Sequence, residues 1–200
     1  METIRGKSSL DLDWNGLKDR MQNYQRVVLD LGTGDGRYVH YLADQHPNCF
    51  IIGIDSCREN LRELSRTKSP NALFIIAEAQ NLPYELNGLI SHITINFPWG
   101  SLLESLLAGD HALMNGLASI STPNAQIAIH LNGGALAEVG TNLDVGAETI
   151  RASMNRCGWN IKKLSTLDHH VLRSFPSTWA KRLAYGRDPR AIALNGTFAA

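Results

Sequence analysis

Residues 27–37 have the sequence VVLDLGTGDGR, and this stretch decides the fold. Its apolar, β-branched start ends at Asp30 and predicts a buried strand, and the glycines after it predict a tight turn into a helix that begins near Gly36. Glycine at positions 32 and 34 lets another molecule lie against the main chain and tolerates a positive φ. The stretch therefore predicts a cofactor site at the carboxyl end of a strand, where open α/β sheets bind their ligands.

The spacing of the glycines narrows the choice of cofactor. A dinucleotide-binding turn, G-x-G-x-x-G, would need glycine at position 37, but Arg37 stands there and the third glycine falls at Gly36. A phosphate-binding P-loop would need Gly-Lys-Ser/Thr, which the stretch lacks. The acid followed by G-x-G-x-G resembles the first motif of class I S-adenosylmethionine-dependent methyltransferases. A glycine turn in another α/β protein is the alternative.

That resemblance implies an α/β, Rossmann-like class I methyltransferase fold, with a seven-stranded, mostly parallel sheet, an antiparallel last strand and helices on both faces. A single methyltransferase domain over residues 1–200 is expected, because a chain of 200 residues buries one core with little left over. We expect residues 1–25 to form an N-terminal extension, a hairpin or short helix packed over the cofactor pocket. Residues 168–190 are expected to be an insertion between the last two strands.

Composition limits the other function classes. The formal net charge is zero, so a nucleic-acid surface has to be local. The cysteines Cys49, Cys57 and Cys157 form no CxxC pair, which fits a reducing cytoplasm better than a disulfide framework or a zinc site, and we expect no metal. We see neither a signal-peptide core nor an apolar window of membrane-spanning length, so we expect a cytoplasmic protein with no membrane partner.

A second acid is expected in the cofactor site. Residues 50–54 (FIIGI) predict another buried strand, and Asp55 follows it, nineteen residues after Gly36. A carboxylate at that strand tip can accept hydrogen bonds from the ribose hydroxyls of a bound nucleoside. The alternative role is that of an N-cap for the following helix, for which Asp is also favoured.

Residues 56–66 predict a helix on which Arg58, Arg62 and Arg66 share one face, continued by Lys68 in the next loop. Two glutamates lie one position along from two of the arginines. The face is therefore either a solvated surface whose charges compensate each other or a stripe that contacts phosphates.

An unusual aromatic stretch, residues 96–100 (NFPWG), ends the strand predicted at residues 90–96. Proline cannot continue a strand, and a tryptophan just beyond a strand tip is poorly placed for the core. Trp99 can stack on a nucleobase at this position. The alternative is an indole that folds back onto the sheet.

A local basic patch lies near the end of the chain. Five bases stand against one acid, Asp188, between residues 173 and 190. Basic side chains interleaved with Trp179 and Tyr185 suit contact with phosphates and stacked bases. A solubilising helix would carry the bases without needing the tryptophan.

With these stretches in view, residues 27–190 resemble the 16S rRNA (adenine(1408)-N(1))-methyltransferase family, whose enzymes are associated with aminoglycoside resistance. The resemblance rests on the motifs DLGTGDGR, IGID, INFPWG and STWAKRLAYGR. It implies that Trp99 and Trp179 sandwich the target adenine, with Ser177, Phe97 and Pro98 beside them in the catalytic site.

The same resemblance implies the binding residues. The expected cofactor is S-adenosyl-L-methionine, which leaves as S-adenosyl-L-homocysteine, and its contacts are Asp30, Gly32, Thr33, Gly34, Asp55, Ser56, Ala79, Gln80, Asn96 and Ser101. Gln80 stands where relatives often carry a glutamate. The expected RNA contacts are Arg66, Lys68, Lys181, Arg182 and Arg187.

The implied activity is methylation of N1 of an adenine in the decoding site of 16S rRNA, with the 30S ribosomal subunit as partner and a monomeric enzyme. One alternative is a tRNA (guanine-N7)-methyltransferase, which shares a similar glycine turn and an Asn-Phe-Pro stretch but usually adds an acid and a further Pro-Trp. The other is a catalytically silent S-adenosylmethionine-binding protein that binds RNA or the ribosome.

Overall fold

The computed structural model describes residues 1–185 and 189–199, with the backbone only at positions 163 and 164. Its strands are β1 (Glu2–Arg5), β2 (Ser8–Asp11), β3 (Arg26–Leu31), β4 (Cys49–Asp55), β5 (Ala72–Ile76), β6 (Ile90–Asn96), β7 (Ser121–Asn132), β8 (Trp159–Leu167) and β9 (Ala191–Phe198). Its α-helices are α1 (Trp14–Met21), α2 (Arg37–Gln45), α3 (Arg58–Leu61), α4 (Gly100–Ala108), α5 (His111–Ile120), α6 (Gly133–Glu138), α7 (Leu143–Arg156), α8 (His169–Ser174) and α9 (Thr178–Ala184). Two 3₁₀ turns cover Leu64–Arg66 and Tyr84–Leu86.

The strands form one sheet in the order β2-β1-β5-β4-β3-β6-β7-β9-β8. The central strands β3 to β7 are parallel, and β9 is antiparallel to β7, as expected for the last strand. The fold class is therefore confirmed. The sheet has nine strands rather than seven because the first eleven residues form a hairpin, β1–β2, that pairs with the edge of β5 and covers it.

The direction of β8 places the connection to β9 over the ligand-binding edge. Strand β8 is antiparallel to β9, so it points the same way as β3 to β7. Its carboxyl end at Leu167 therefore lies at the same edge of the sheet as theirs, and α8 and α9 follow from that edge. In this way a segment late in the sequence starts beside the turn that follows β3.

Alternating apolar residues give the sheet a core on each face. Val28 and Ile51 pack with Val39 of α2 on one face. Their neighbours Leu29 and Ile52 point to the opposite face, into a larger cluster that includes residues of α4, α5 and α7. Because successive strand residues face opposite sides, a strand covered on both faces has the continuous apolar runs seen in β3 and β4.

The predicted helix over residues 56–66 is wrong in its length. The structure has only the single turn α3 and a separate 3₁₀ turn, so the arginines do not form one stripe. Arg58 is paired with Glu2 of the hairpin, whereas Arg62 is paired with Glu59. The stem of Arg66 lies against Gly6 in the hairpin turn. Contacts with β1–β2, which local periodicity does not show, replace the regular helix.

The N-terminal segment also differs from expectation. It contains both a hairpin and a helix, α1, but these lie at the β5 edge, and no residue before Leu31 lines the cavity at the carboxyl ends of the strands. Within the described residues, no helix has the length and apolar character that crossing a membrane requires.

We predict that Gly53→Ala destabilises the protein by about 1–3 kcal/mol, because an added methyl group overpacks a filled core. Gly53 is buried in β4, and its Cβ would lie 2.7 Å from Cγ2 of Val39 in α2 and 3.0 Å from Cγ2 of Thr33 in the glycine turn. Urea denaturation would measure the change in the free energy of unfolding.

The matched control is Gly116→Ala in α5. Its Cβ would meet Leu82 at an ordinary 3.4 Å, so helix propensity should stabilise the protein by up to about 1 kcal/mol. A Gly53→Ala variant as stable as the wild type would contradict the close packing of α2 on β4.

Candidate active site

A cavity of about 500 Å³ lies at the carboxyl ends of β3, β4, β5 and β6. Its volume suits a small-molecule ligand, and its position is the one that open α/β sheets use for binding. Twelve of the predicted site residues line it: Gly32, Gly34, Asp55, Ser56, Ala79, Gln80, Asn96, Phe97, Pro98, Trp99, Ser101 and Trp179. Sequence positions from 32 to 179 thus meet around one space.

The floor of the cavity is the glycine turn. Gly32, Gly34 and Gly36 have φ values of +72°, +58° and +78°, in the left-handed region that side chains disfavour. No atom lies within 4 Å of the position that a Cβ would take at Gly34, so the main chain there is open to a ligand. The predicted close approach to the backbone is therefore available.

Asp55 fixes this turn from the neighbouring strand. Its Oδ2 accepts a hydrogen bond of 2.8 Å from the amide of Gly34, and its Oδ1 accepts one of 2.9 Å from the amide of Cys57. Cys57 is the residue at the N-cap position of α3, so Asp55 is not the N-cap that was the alternative. Asn60 Nδ2 also donates to Oδ1, at 3.3 Å. A carboxylate oxygen has two lone pairs, so Oδ2, which accepts one hydrogen bond, keeps capacity for a ligand's hydroxyl group.

Asp30 lies behind the cavity wall rather than in it. It is 1% exposed, and its Oδ1 accepts hydrogen bonds of 2.8 Å from Thr94 Oγ1 and from Asn96 Nδ2. Burial raises the pKa of the Asp30 carboxyl from its ordinary 3.8 to about 6, against the opposing effect of these hydrogen bonds. Asn96 thus connects a buried acid to the cavity that Asn96 itself lines.

His130 extends this series of hydrogen bonds, and the sequence alone did not indicate it. Its Nδ1 lies 2.7 Å from Asn96 Oδ1, and burial lowers the pKa of His130 to about 4, so the ring is neutral at pH 7. Since Asn96 Nδ2 donates to Asp30, Nδ1 of His130 carries the proton and donates to Asn96. The parallel register that pairs Asn96 with His130 is the signal that could have found it.

The remaining predicted cofactor residues differ in their position. Thr33 is buried and does not line the cavity, and its side chain lies next to the Asp30 carboxylate. Gln80 lines the cavity, and its Nε2 donates a 2.7 Å hydrogen bond to Ser105 Oγ in α4. The apolar lining residues Ile54, Ala77 and Leu102 provide surface against which a purine can pack. The residues present therefore fit an adenosine-containing, positively charged ligand, because the cavity has a glycine floor, apolar walls and the carboxylates of Asp55 and Glu78 in its lining.

The two tryptophans face each other at this cavity. The centroids of the Trp99 and Trp179 rings are 5.8 Å apart, and the ring planes are inclined by 17°. The two residues are 44% and 49% exposed, so Trp99 does not fold back onto the sheet. Carbon atoms of stacked rings are in contact at about 3.5 Å, so a base between the indoles needs ring planes about 7 Å apart. The centroid distance of 5.8 Å is an upper limit on the present separation of the planes, so the pair has to open by at least about 1 Å to admit a purine.

A reversal of the main chain sends Phe97 inward and leaves Trp99 outside. Phe97 has a φ of +53°, which is rare for a bulky residue, and its amide donates to the carbonyl of His130 at 2.8 Å. Its ring packs edge to face against Phe175 at 5.3 Å, and it is only 6% exposed. Phe97 thus anchors the aromatic stretch to the segment that carries Trp179.

The other predicted catalytic and RNA-binding residues fall in different places. Ser177 precedes α9 and does not line the cavity, and its hydroxyl does not cap the helix. Lys181 and Arg182 are exposed on α9, where the Arg182 guanidinium lies 5.6 Å from the centre of the Trp179 ring. Arg187 lies outside the described residues.

Arg66 and Lys68 line a second cavity of about 790 Å³ beside the hairpin. Arg5 and Arg20 line it too, and among its described lining residues there is no carboxylate. It is larger than the cavity at the strand ends, but it lacks the glycine turn, the acids and the indoles. We therefore place the active site at the strand ends and not in the larger cavity.

Sequence relatives that match nearly the whole chain share one description. The sequence model of the NpmA family, 16S rRNA (adenine(1408)-N(1))-methyltransferase, matches residues 2–198. An enzyme of that name from Escherichia coli is 33% identical over 98% of both chains, and one from Streptoalloteichus hindustanus is 29% identical over the same shares. The crystal structure of the 16S rRNA methyltransferase KamB superposes with a TM-score of 0.90 at 27% identity, covering 100% of each chain.

We predict that Asp30→Asn stabilises the cofactor-free protein at pH 7.5 and weakens the binding of S-adenosylmethionine at least tenfold. The raised pKa means that the folded protein binds the proton more tightly than the unfolded chain does. The contribution of Asp30 to the stability of the wild type is therefore fully present below pH 4. It is lost as the pH rises through about 6, which lowers the free energy of unfolding by about 3 kcal/mol. Asparagine avoids this loss but also removes a negative charge that a cationic ligand can meet.

The measurements are urea denaturation from pH 4.5 to 8 and calorimetry with S-adenosylmethionine. The difference in the free energy of unfolding between variant and wild type should grow with pH. Taking this difference cancels the contributions of the other titrating groups. A difference that is constant with pH would show that Asp30 titrates normally.

Proposed function

The chain belongs to the NpmA family of 16S rRNA (adenine(1408)-N(1))-methyltransferases, and we propose that it transfers a methyl group from S-adenosylmethionine to N1 of one adenine of 16S rRNA. The observation that carries the proposal is the pair of parallel indoles, Trp99 and Trp179, at the mouth of the cavity that fits the methyl donor. Relatives named as aminoglycoside-resistance enzymes support protection against these antibiotics as the outcome.

The residues act by positioning. Bound S-adenosylmethionine supplies a methyl group on a positively charged sulfur atom. Adenine N1 has a free lone pair and needs no general base, so the protein has to hold the ring in line and exclude water. Asp55, Asn96 and the glycine turn are expected to bind the donor, while the indoles hold the base.

The indoles also act on the charge of the product. Methylation at N1 makes the adenine ring cationic, and the faces of Trp99 and Trp179 attract a cation. Each stacking contact contributes about 1–3 kcal/mol. Removing a base from its helix costs a few kcal/mol, so two contacts of this size offset it.

Basic residues are proposed to hold the RNA backbone. Lys181 and Arg182 on α9, next to Trp179, are proposed to contact phosphates near the flipped base, together with Arg187. Arg66 and Lys68 lie beside the hairpin and would contact a more distant part of the RNA. We propose that the substrate is presented in the small ribosomal subunit, and that a cytoplasmic monomer acts on it.

The division of the chain follows from the same proposal. Residues 1–200 act as one methyltransferase domain, with residues 1–25 as an extension and residues 168–190 as the insertion that supplies Trp179. The tRNA (guanine-N7)-methyltransferase alternative is not supported, because the rRNA methyltransferase family model matches residues 2–198.

We predict that Trp99→Ala and Trp179→Ala each abolish methylation, because either change removes one wall of the clamp, and leave the affinity for S-adenosylmethionine within about threefold. After expression in a bacterium, primer extension on small-subunit rRNA measures the modification as a stop at the decoding-site adenine. Trp99→Phe and Trp179→Phe are the matched controls, since they keep an aromatic face and should retain part of the activity.

Full methylation by both alanine variants would contradict the proposal that the two indoles hold the target adenine. Binding of S-adenosylmethionine by the wild type with no stop at any adenine would favour the silent RNA-binding protein instead.

A further inference from the structure

A hydrogen bond joins the glycine turn to the helix that carries Trp179. Thr178 Oγ1 donates to Asp35 Oδ2 at 2.7 Å, across 143 positions of sequence. Thr178 is the first residue of α9 and directly precedes Trp179. A polar contact between such distant segments therefore ends one residue away from the proposed clamp.

Asp35 lies in the glycine turn, between Gly34 and Gly36. It does not line the cavity, although Gly34 before it does. Its carboxylate also accepts hydrogen bonds from Arg37, at 3.1 Å from Nε and at 3.2 Å from the backbone amide. These contacts orient the carboxylate. Arg37 Nε and Thr178 Oγ1 both donate to the same oxygen, Asp35 Oδ2.

Gly34, the residue before Asp35, connects the same turn to the cofactor-binding residues. Gly34 donates its amide to Asp55 Oδ2 at 2.8 Å. Consecutive turn residues are thus joined to two different parts of the site: Gly34 to the acid expected to bind the ribose, and Asp35 to the helix of the base clamp.

The first turn of α9 has no capping side chain of its own, and the hydrogen bond from Thr178 ties it to the glycine turn. The side chain of Ser177, at the N-cap position, makes no capping hydrogen bond. Apolar contacts hold the rest of the segment: Phe175 stacks on Tyr38 at 5.1 Å, and Ala180 and Ala184 are buried against Phe97 and Leu172. Apolar packing alone leaves the helix rotation weakly fixed, whereas a directional hydrogen bond sets it.

We propose that Asp35 and Thr178 are positioning residues that hold the Trp179 indole parallel to Trp99 and join the donor-binding turn to the base clamp. The inference rests on the proposed function, because it assigns these residues to the same site. Neither residue touches the donor or the base, and both act through Trp179.

Thr178→Val tests the contact, because it keeps the shape of the side chain and removes the hydroxyl group. A hydrogen bond to a carboxylate is strong enough that its loss should lower kcat/KM for small ribosomal subunits by about tenfold. The affinity for S-adenosylmethionine, measured by calorimetry, should stay within about twofold. Thr178→Ser, which restores the hydroxyl group, should recover wild-type kcat/KM.

Ser174→Ala is the matched control. The Ser174 hydroxyl, on α8 of the same segment, donates only to carbonyls of its own helix, at His170 and Val171. Its loss should leave kcat/KM unchanged. Wild-type kcat/KM in Thr178→Val would overturn the inference, and so would a Thr178→Ser variant as impaired as Thr178→Val, since that result points to packing alone.

A second readout does not depend on RNA. Fluorine NMR of protein labelled with 5-fluorotryptophan reports the four tryptophans separately, with Trp→Phe variants for assignment. In Thr178→Val the signals of Trp99 and Trp179 should shift or broaden, while that of Trp159, which is buried against Phe198, should not. Unchanged signals of the pair would overturn the inference. This result is obtained even if the wild type fails to methylate the subunit, which would count against the proposed function alone.

Discussion

The stacked contact between Trp99 and Trp179 is the constraint on which the rest of this structure depends. The two indoles come from segments eighty residues apart, and each has to be held by its own support. Trp99 follows a main-chain reversal at Phe97, whereas Trp179 lies on a helix that reaches the site only because β8 is parallel to the central strands. The sheet topology brings the segments to one edge, and the Phe97–Phe175 contact packs them together.

In the cofactor-binding part of the site, a buried negative charge is kept at a cost in folding stability. Asp30 is buried at a strand tip, and its raised pKa records the cost of keeping a carboxylate there. Hydrogen bonds from Thr94 and Asn96 offset part of that cost, and neutral His130 holds the Asn96 amide in the orientation that they need. A buried carboxylate of this kind suits a site for a positively charged ligand, because the charge of the ligand offsets that of the carboxylate.

The parts of the site that follow from local spacing were the ones predictable from residues alone. The turn at residues 32–36 and the acid at Asp55 are close in sequence to the strands that place them, so glycine spacing was sufficient. The pairing of Trp99 with Trp179 came instead from the family resemblance, since no periodicity connects them. The Asp35–Thr178 bond and the broken helix at residues 56–66 depend on contacts between distant segments. Propensity and charge spacing favoured a continuous helix there, and the pairing of Arg58 with Glu2 shows why that was wrong.

The most direct test of the account is a structure of the protein on the small ribosomal subunit with an unreactive analogue of S-adenosylmethionine. The measured quantity is the separation of the Trp99 and Trp179 ring planes and the identity of what lies between them. We predict an adenine between the indoles, with the planes opened to about 7 Å and N1 directed at the donor cavity. An adenine bound elsewhere, or indoles still stacked on each other in that complex, would contradict it.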